Sequence, residues 1–420
     1  MNAPPIVISE RAKQGLDISP AALNLTGLST AQVEQLGMGS YLVNAVGGCS
    51  DCHDSPGTQK FLAGGTSFAL DGAGHAVVAR NLTPDAQSGM KLTQDEFVES
   101  MRTGKDFRNS GESMVVMPWP IYRWMGTSDL KAMYAYLKAI PAVANATTAD
   151  NKGAFAGAPV AFPTSYGDGD VTRPLPAEQD QTGGAIPDPS FVRRGMAIQP
   201  LDEPTDLGTL PSQDQIAFGR GSYLVNAVAG CNDCHTNPDR SFAPGATFLK
   251  INTDAYLAGG RVFTVPPPLA VLTHQKRSMG TNLIGANNGF ITDASFATFA
   301  AIIQTGTHAD DPQPAPLAFP MPASRYRNMV LEDLAAIYTY LRHVPSRMGA
   351  NDKATQEATV SCAVNADCDT AAGETCDATA KECVGKACAD DSECTVCQTC
   401  NGSNVCVAPA AASTCLTMGI

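Results

Sequence analysis

The sequence predicts a mainly α-helical protein: two tandem helical domains, a long irregular linker between them, and a small cysteine-rich domain at the C-terminal end. Three observations predict it. The stretch GSYLVNAVGGCSDCH at residues 39–53 occurs again as GSYLVNAVAGCNDCH at 221–235, differing only at Gly47/Ala229 and Ser50/Asn232. Each copy is followed by a matching closing segment, DLKAMYAYLKAIP at 129–141 and DLAAIYTYLRHVP at 333–345. Ten of the 14 cysteines are crowded between Cys362 and Cys415.

The expected domains are an N-terminal extension at 1–28, a first helical domain at 29–145, a linker at 146–211, a second helical domain at 212–348 and a cysteine-rich domain at 349–420. Residues before about 25 hold Pro4, Pro5 and Pro20 without strong periodicity, and are expected to lie over the first domain. A helix is expected after Ser29, because Ser29-x-x-Gln32 has capping-box spacing, and Ser212-x-x-Gln215 is expected to repeat the device. Gly37 precedes Tyr41 by four residues, as Gly219 precedes Tyr223. A glycine there admits close approach of another helix, with the tyrosine stacked one turn along.

Each long repeat ends in C-x-x-C-H, the attachment signature of covalent haem c. On a helical turn, residues i and i+3 share a face, so both thiols reach the two vinyl groups of one porphyrin and the adjacent histidine meets the iron. The candidates are Cys49, Cys52 and His53, then Cys231, Cys234 and His235, for two covalently bound haems c. A single such motif also fits a zinc or redox site; two copies inside one longer repeat favour haem.

Beyond the motif the halves stay alignable, with insertions in the second. LAGG at 62–65 matches 257–260, Asn81-Leu82 matches Asn282-Leu283, and Phe97 with Thr103-Gly104 matches Phe299 with Thr305-Gly306. MPWPIYRWM at 117–125 then matches MPASRYRNM at 321–329. In the closing segments Leu130, Met133, Tyr134 and Leu137, like Leu334, Ile337, Tyr338 and Leu341, follow the spacing of an amphipathic helix, stopped by Pro141 or Pro345.

Each half resembles a class I cytochrome c: a helix with Gly-x-x-x-Tyr, the C-x-x-C-H turn, a Met-Pro loop and a closing helix with tyrosines. The first half, with Asn81-Leu82-Thr83-Pro84-Asp85 and MPWPIYRWM, is similar to the cytochrome subunits that serve periplasmic dehydrogenases of alcohols and related substrates. The second half lacks the Thr-Pro-Asp after Asn282 and replaces MPWPI by MPASR. The resemblance implies two tandem class I cytochrome c domains, residence in the periplasm or at the cell surface, and redox donor and acceptor proteins as partners.

A low-spin electron-transfer haem needs a second axial ligand, and methionine raises the potential. Met117 and Met321 are the candidates, each fixed by the following proline, with Met114 the rival in the first half. Met125 and Met329, next to the last helix, read as core. His75, His274, His308 and His343 have no counterparts between halves and read as loop or surface residues, although His274 and His308 are alternatives to Met321. Tyr122-Arg123 and Tyr326-Arg327 recur together, either as donors to a haem propionate or as a packed Tyr beside a surface Arg.

Residues 151–211 hold nine Pro and eight Gly, which excludes a packed helical domain there. Phe155, Phe162, Tyr166 and Phe191 suggest that this stretch wraps along the helical domains. In the tail the spacing gives two units, Cys362, Cys368, Cys376, Cys383 and Cys388, Cys394, Cys400, Cys406, with Cys397 and Cys415 left over. Few large apolar residues accompany them, so disulfides are expected to stabilise the domain, in an oxidising compartment. The run Cys394-x-x-Cys397-x-x-Cys400 lacks the rest of an iron–sulfur pattern.

The net charge of −13, of which −7 falls after residue 350, excludes a nucleic-acid or anionic-membrane surface. MNAPPIVISE has no apolar signal-peptide core, so the expectation is a processed chain or a misassigned start. No apolar run is long enough to span a membrane. The expected function is single-electron transfer between a donor and an acceptor, with no catalytic residues of the chain's own. A dihaem peroxidase and a structural subunit of a multi-cytochrome assembly, membrane complex or homo-oligomer are the alternatives.

Overall fold

The computed structural model describes residues 7–55, 60–70, 73–108, 112–153, 189–201, 207–236, 252–264, 277–284, 290–308, 317 and 320–347, with four short strands beyond them. These residues are mainly helical, and one order of elements runs through them twice.

The first half comprises α1 (Glu10–Ile18), α2 (Thr30–Tyr41), a π-helical turn (Leu42–Val46), α3 (Cys49–His53), the hairpin β1 (Ser67–Ala69) and β2 (Ala76–Val78), α4 (Gln94–Thr103), the hairpin β3 (Lys105–Asp106) and β4 (Glu112–Ser113), α5 (Trp119–Tyr122) and α6 (Thr127–Ala139). The second comprises α7 (Pro189–Ile198), α8 (Ser212–Tyr223), a π-helical turn (Leu224–Val228), α9 (Cys231–His235), the hairpin β5 (Val262–Thr264) and β6 (Arg277–Met279), α10 (Phe290–Asp293), α11 (Phe296–Thr305), α12 (Ala323–Tyr326) and α13 (Leu331–His343).

Local chemistry sets the helix ends. The Ser29–Gln32 capping box opens α2, and a Thr93–Glu96 box opens α4. The second expected box does not form: Pro211 takes the cap position of α8, Ser212 is its first residue, and the Gln215 amide donates to Leu210 O at 2.8 Å. Counting back from the matched glycines, Pro211 rather than Ser212 is the counterpart of Ser29. Gly104 and Gly306 end α4 and α11 in the left-handed region, both at φ 72°. The closing helices α6 and α13 stop just before Pro141 and Pro345 as their spacing predicts, and Leu130, Met133 and Leu137, like Leu334, Ile337 and Leu341, are buried.

Each half is a three-helix stack, with the helix that leads to the motif packed between the docked helix and the closing helix. The expected close helix contact at Gly37 is made by α1, whose Ala12 carbonyl lies 2.3 Å from where a Cβ on Gly37 would stand. The closing helix approaches two residues later, where a Cβ on Gly39 would lie 2.0 Å from the Ala132 carbonyl oxygen. Gly219 and Gly221 repeat this against Val192 of α7 and Ala336 of α13. The residues before 25 therefore include a docked helix. The stretch read as irregular linker likewise contains α7, seated on α8 with Phe191 stacked on Tyr223 at 4.8 Å between ring centroids.

The start of the linker also lies on the first half. Asn151 pairs with Ala76 at the edge of β2, and Arg80 and Lys152 bridge Asp150 and Asp106. Phe155, Phe162 and Tyr166 fall outside the described residues. In the tail, Thr375–Asp377 pairs with Glu382–Val384 and Thr399–Cys400 with Cys406–Val407, so that Cys376 faces Cys383 and Cys400 faces Cys406 in register. The expected disulfides fall outside the described side chains. No helix among the described residues is long and apolar enough to cross a membrane.

Candidate functional site

Two sites are built by one device. In each half the haem-motif helix is entered through a π turn, closed by Gly47 N–H on Leu42 O at 2.7 Å and by Ala229 N–H on Leu224 O at 2.8 Å. Gly48 and Gly230 then turn the chain at φ 62° and 66°, so that Cys49 and Cys231 open their own short helix. None of the four motif cysteines is in a disulfide. Burial pushes the Cys49 thiol up to about 12 and that of Cys231 up to about 12.

The histidines carry the strongest geometric signal. His53 Nδ1 lies 2.8 Å from Arg80 O, and His235 Nδ1 lies 2.7 Å from Thr281 O. A carbonyl only accepts, so each Nδ1 carries the proton and each Nε2 keeps its lone pair. Burial holds both imidazoles below the ordinary value of 6.5, hence neutral at neutral pH. A neutral imidazole with one nitrogen fixed by a backbone acceptor is the form a metal-ligating histidine takes.

The chain after each histidine is clamped by the shared LAGG. Gly64 N–H donates to His53 O at 2.6 Å, and Gly259 N–H to His235 O at 2.7 Å. Leu62 and Leu257 adopt φ 53° and 55° with fully buried side chains. For a non-glycine residue this backbone costs on the order of 1–3 kcal/mol and persists where surrounding contacts impose it. Here Asp54 Oδ1 accepts from Leu62 N–H and Thr236 Oγ1 from Leu257 N–H.

The Met-Pro loops precede α5 and α12. Met117 and Met321 are half-buried against the core, and their carbonyls accept from Trp119 N–H and Ala323 N–H at 2.8 and 2.9 Å. The rival Met114 has Leu317 as its counterpart, since each donates its N–H to the glycine that ends the preceding helix, Gly104 or Gly306. Met117 and Met321 are therefore the loop methionines common to both halves, as Met125 and Met329 are at the far end of the same segment. Met125 and Met329 are buried core residues. His308 is exposed, His75 lies against Gly153, His343 ends α13, and His274 is outside the described residues.

Of the two readings of the Tyr-Arg pairs, the described contacts fit a packed Tyr beside a surface Arg in the second half. Tyr122 donates to Gly47 O at 2.6 Å and Tyr326 to Ala229 O at 2.9 Å, so each hydroxyl proton pins the loop before its motif and is spent before any propionate. Arg123 is buried beside the Trp124 ring, whereas Arg327 is exposed, so the two arginines are not equivalent.

Sequence reading missed the residues that join the halves. The Tyr41 hydroxyl donates to Asp333 at 2.7 Å and accepts from Val330 N–H, while Tyr223 donates to Asp129 at 2.5 Å and accepts from Gly126 N–H. Arg11 and Arg220 complete the shell of Asp333. Across the same interface Ile121 lies where a Cβ on Gly230 would touch it, and Arg325 lies likewise against Gly48. Tyr136 and Tyr340, fully buried, gather Asn44 and Asn226 from the π turns. The signal was present in part: the Tyr–Asp pairs and the Tyr–Asn pairs recur at matched repeat positions, and Ile121 and Arg325 match in position but differ in kind, whereas Phe191 and Met38 stand where the counterparts of Arg11 and Arg220 would be.

A mainly helical chain that twice sets two cysteines and a neutral histidine on one turn, and carries a Met-Pro loop in each half, is similar to the cytochrome c subunits of bacterial dehydrogenases. Among these relatives it is 24% identical over 326 residues to the fructose dehydrogenase cytochrome subunit of Gluconobacter japonicus, covering 76% of this chain and 54% of that one. It is 30% identical over 206 residues to the gluconate 2-dehydrogenase cytochrome c subunit of Pantoea cypripedii, covering 47% and 37%. With the cytochrome c subunit of the quinone alcohol dehydrogenase of Gluconobacter oxydans it shares 27% over 216 residues, covering 50% and 37%. The chain thus spans about half or less of each relative's length. No protein-family model matches it.

The residues present fit haem c. Neither cysteine of either motif is held in a disulfide, and each histidine has its non-bonded nitrogen unprotonated.

Proposed function

We propose that the chain is a dihaem cytochrome c, carrying single electrons between a donor and a downstream acceptor outside the cytoplasm. Two tandem class I cytochrome c domains, at about 29–145 and 212–348 and each extended by its docked helix, are the units that carry the haems. Cys49 and Cys52 hold one haem covalently with His53 on the iron, and Cys231, Cys234 and His235 hold the other. Met117 and Met321 supply the opposite ligands. When bound, haem c supplies a one-electron iron couple of a potential set by its ligands and surroundings.

The chain's own part is to hold that couple still. The Nδ1–H bonds to Arg80 O and Thr281 O fix each imidazole plane, and the LAGG clamps fix the backbone behind it. The single observation that carries the proposal is this pair of neutral histidines, each beside two cysteines at the same point of a repeat. Similarity to dehydrogenase subunits supports a dehydrogenase catalytic subunit as the donor, with this chain as carrier rather than catalyst.

The test is a spectroscopic redox titration of the purified protein in the presence and absence of candidate dehydrogenases. Two one-electron components, with a methionine-to-iron band from each and reduction by a dehydrogenase, support the proposal. Rapid peroxide turnover with half the methionine band favours the peroxidase alternative and overturns it.

A further inference from the structure

Position 325 is where the two halves part company chemically. The Met-Pro loops reach across the interface to the partner motif in both directions. The first-half loop offers Ile121, a hydrocarbon, to Gly230, whereas the second-half loop offers Arg325 to Gly48. The Arg325 guanidinium donates to Ser50 Oγ at 2.9 Å and forms an ion pair with Asp51, both inside the first C-x-x-C-H motif. Its side chain is 13% exposed against 50% for Asp51, so the cation is the desolvated partner. Its Nε is buried with no hydrogen-bond partner among the described residues.

Resting on the haem reading above, we propose that Arg325 is a positioning residue supplied in trans: the second half sets the potential of the first haem, holding it up by a cation buried against that haem's attachment loop. A positive charge beside an iron couple disfavours the more positive ferric state, and the effect grows as water is excluded. Asp51 offsets part of that field from the wetter side. At the matched position the first-half loop brings the uncharged Ile121 to the second motif. Arg261, from the second half itself, donates to Asp233 O of that motif. The departure of MPASR from MPWPI therefore acts on the other half's haem rather than on its own.

The experiment is a spectroscopic redox titration of the full-length haem-loaded protein and of four variants. Arg325→Ile, which copies the first half's solution, lowers one of the two potentials by roughly a tenfold change in electron partition, about 59 mV for a one-electron couple. Asp51→Asn raises that same component, Arg325→Lys leaves it close to the wild-type value, and Ile121→Arg raises the other component. Loss of packing alone would move the Lys and Ile variants together, and would move Arg325→Ile and Asp51→Asn in one direction. Either result, or no shift in any component, overturns the proposal. A haem count by intact mass on the same samples separates the two readings. Fewer than two covalent haems in the wild type refutes the haem reading, whereas two haems with unmoved potentials refute only the role of Arg325.

Discussion

The hydroxyl of Tyr41, the last residue of α2 in one half, donates at 2.7 Å to Asp333, the third residue of the closing helix of the other half. Tyr223 and Asp129 make the reciprocal bond. Both carboxylates are buried, so the halves are joined through groups that are costly to leave unsatisfied. Tyr41→Phe or Tyr223→Phe should each cost about 1–3 kcal/mol of stability. The denaturant midpoint measures it. A loss well under that range in both variants contradicts a bonded interface.

Alanine at Gly39 or Gly221 should be costlier than an ordinary helix substitution. The new Cβ would stand 2.0 Å from a carbonyl oxygen of the closing helix in either half, so the helices must part. Overpacking of this kind costs typically about 1–3 kcal/mol, where glycine to alanine in an open helix stabilises. Thermal unfolding of Gly39→Ala separates the two signs.

Burial holds His53 and His235 below 6.5, which fixes a sign for acid unfolding. As pH falls through 6.5 the imidazoles of the unfolded chain take protons first. The unfolded state then binds more protons, and stability falls with pH in that window. Urea midpoints between about pH 7 and pH 5 should decline before most carboxylates titrate. A flat profile there contradicts neutral, buried histidines.

Met117→Ala should remove half of the methionine-to-iron absorption band, whereas Met114→Ala should leave it intact. The difference follows from the match of Met114 to Leu317 and of Met117 to Met321. A band lost with Met114 instead would reverse the assignment.

The repeat was the legible part of the molecule. Ser29-x-x-Gln32 marked a true helix start, and the spacing of Leu130, Met133 and Leu137 marked a true buried face. Where the reading slipped, a local rule met a competitor. Pro211 displaced the serine cap at the start of α8, and composition averaged over 151–211 concealed ten helical residues at Pro189–Ile198. The period counted Tyr134 as core, yet Tyr136 is the tyrosine with no exposure, because its hydroxyl finds Asn44 inside. Tyr41 looked like a stacking residue, and its partner proved to be an aspartate 292 positions away. Contacts of that range leave no periodic trace; only their recurrence at matched repeat positions gives them away. The π turns and the left-handed Leu62 and Leu257 have no residue-level signature, since LVNAV and LAGG fit ordinary helix and turn equally well.

The most direct test of the central claim is the intact mass of the denatured, reduced protein, compared with Cys49→Ala/Cys52→Ala and Cys231→Ala/Cys234→Ala double variants. The account predicts two covalent haem masses in the wild type, one in each variant, and four motif cysteines protected from alkylation in the wild type. A wild-type chain that sheds its iron on denaturation and alkylates at Cys49, Cys52, Cys231 and Cys234 would contradict it.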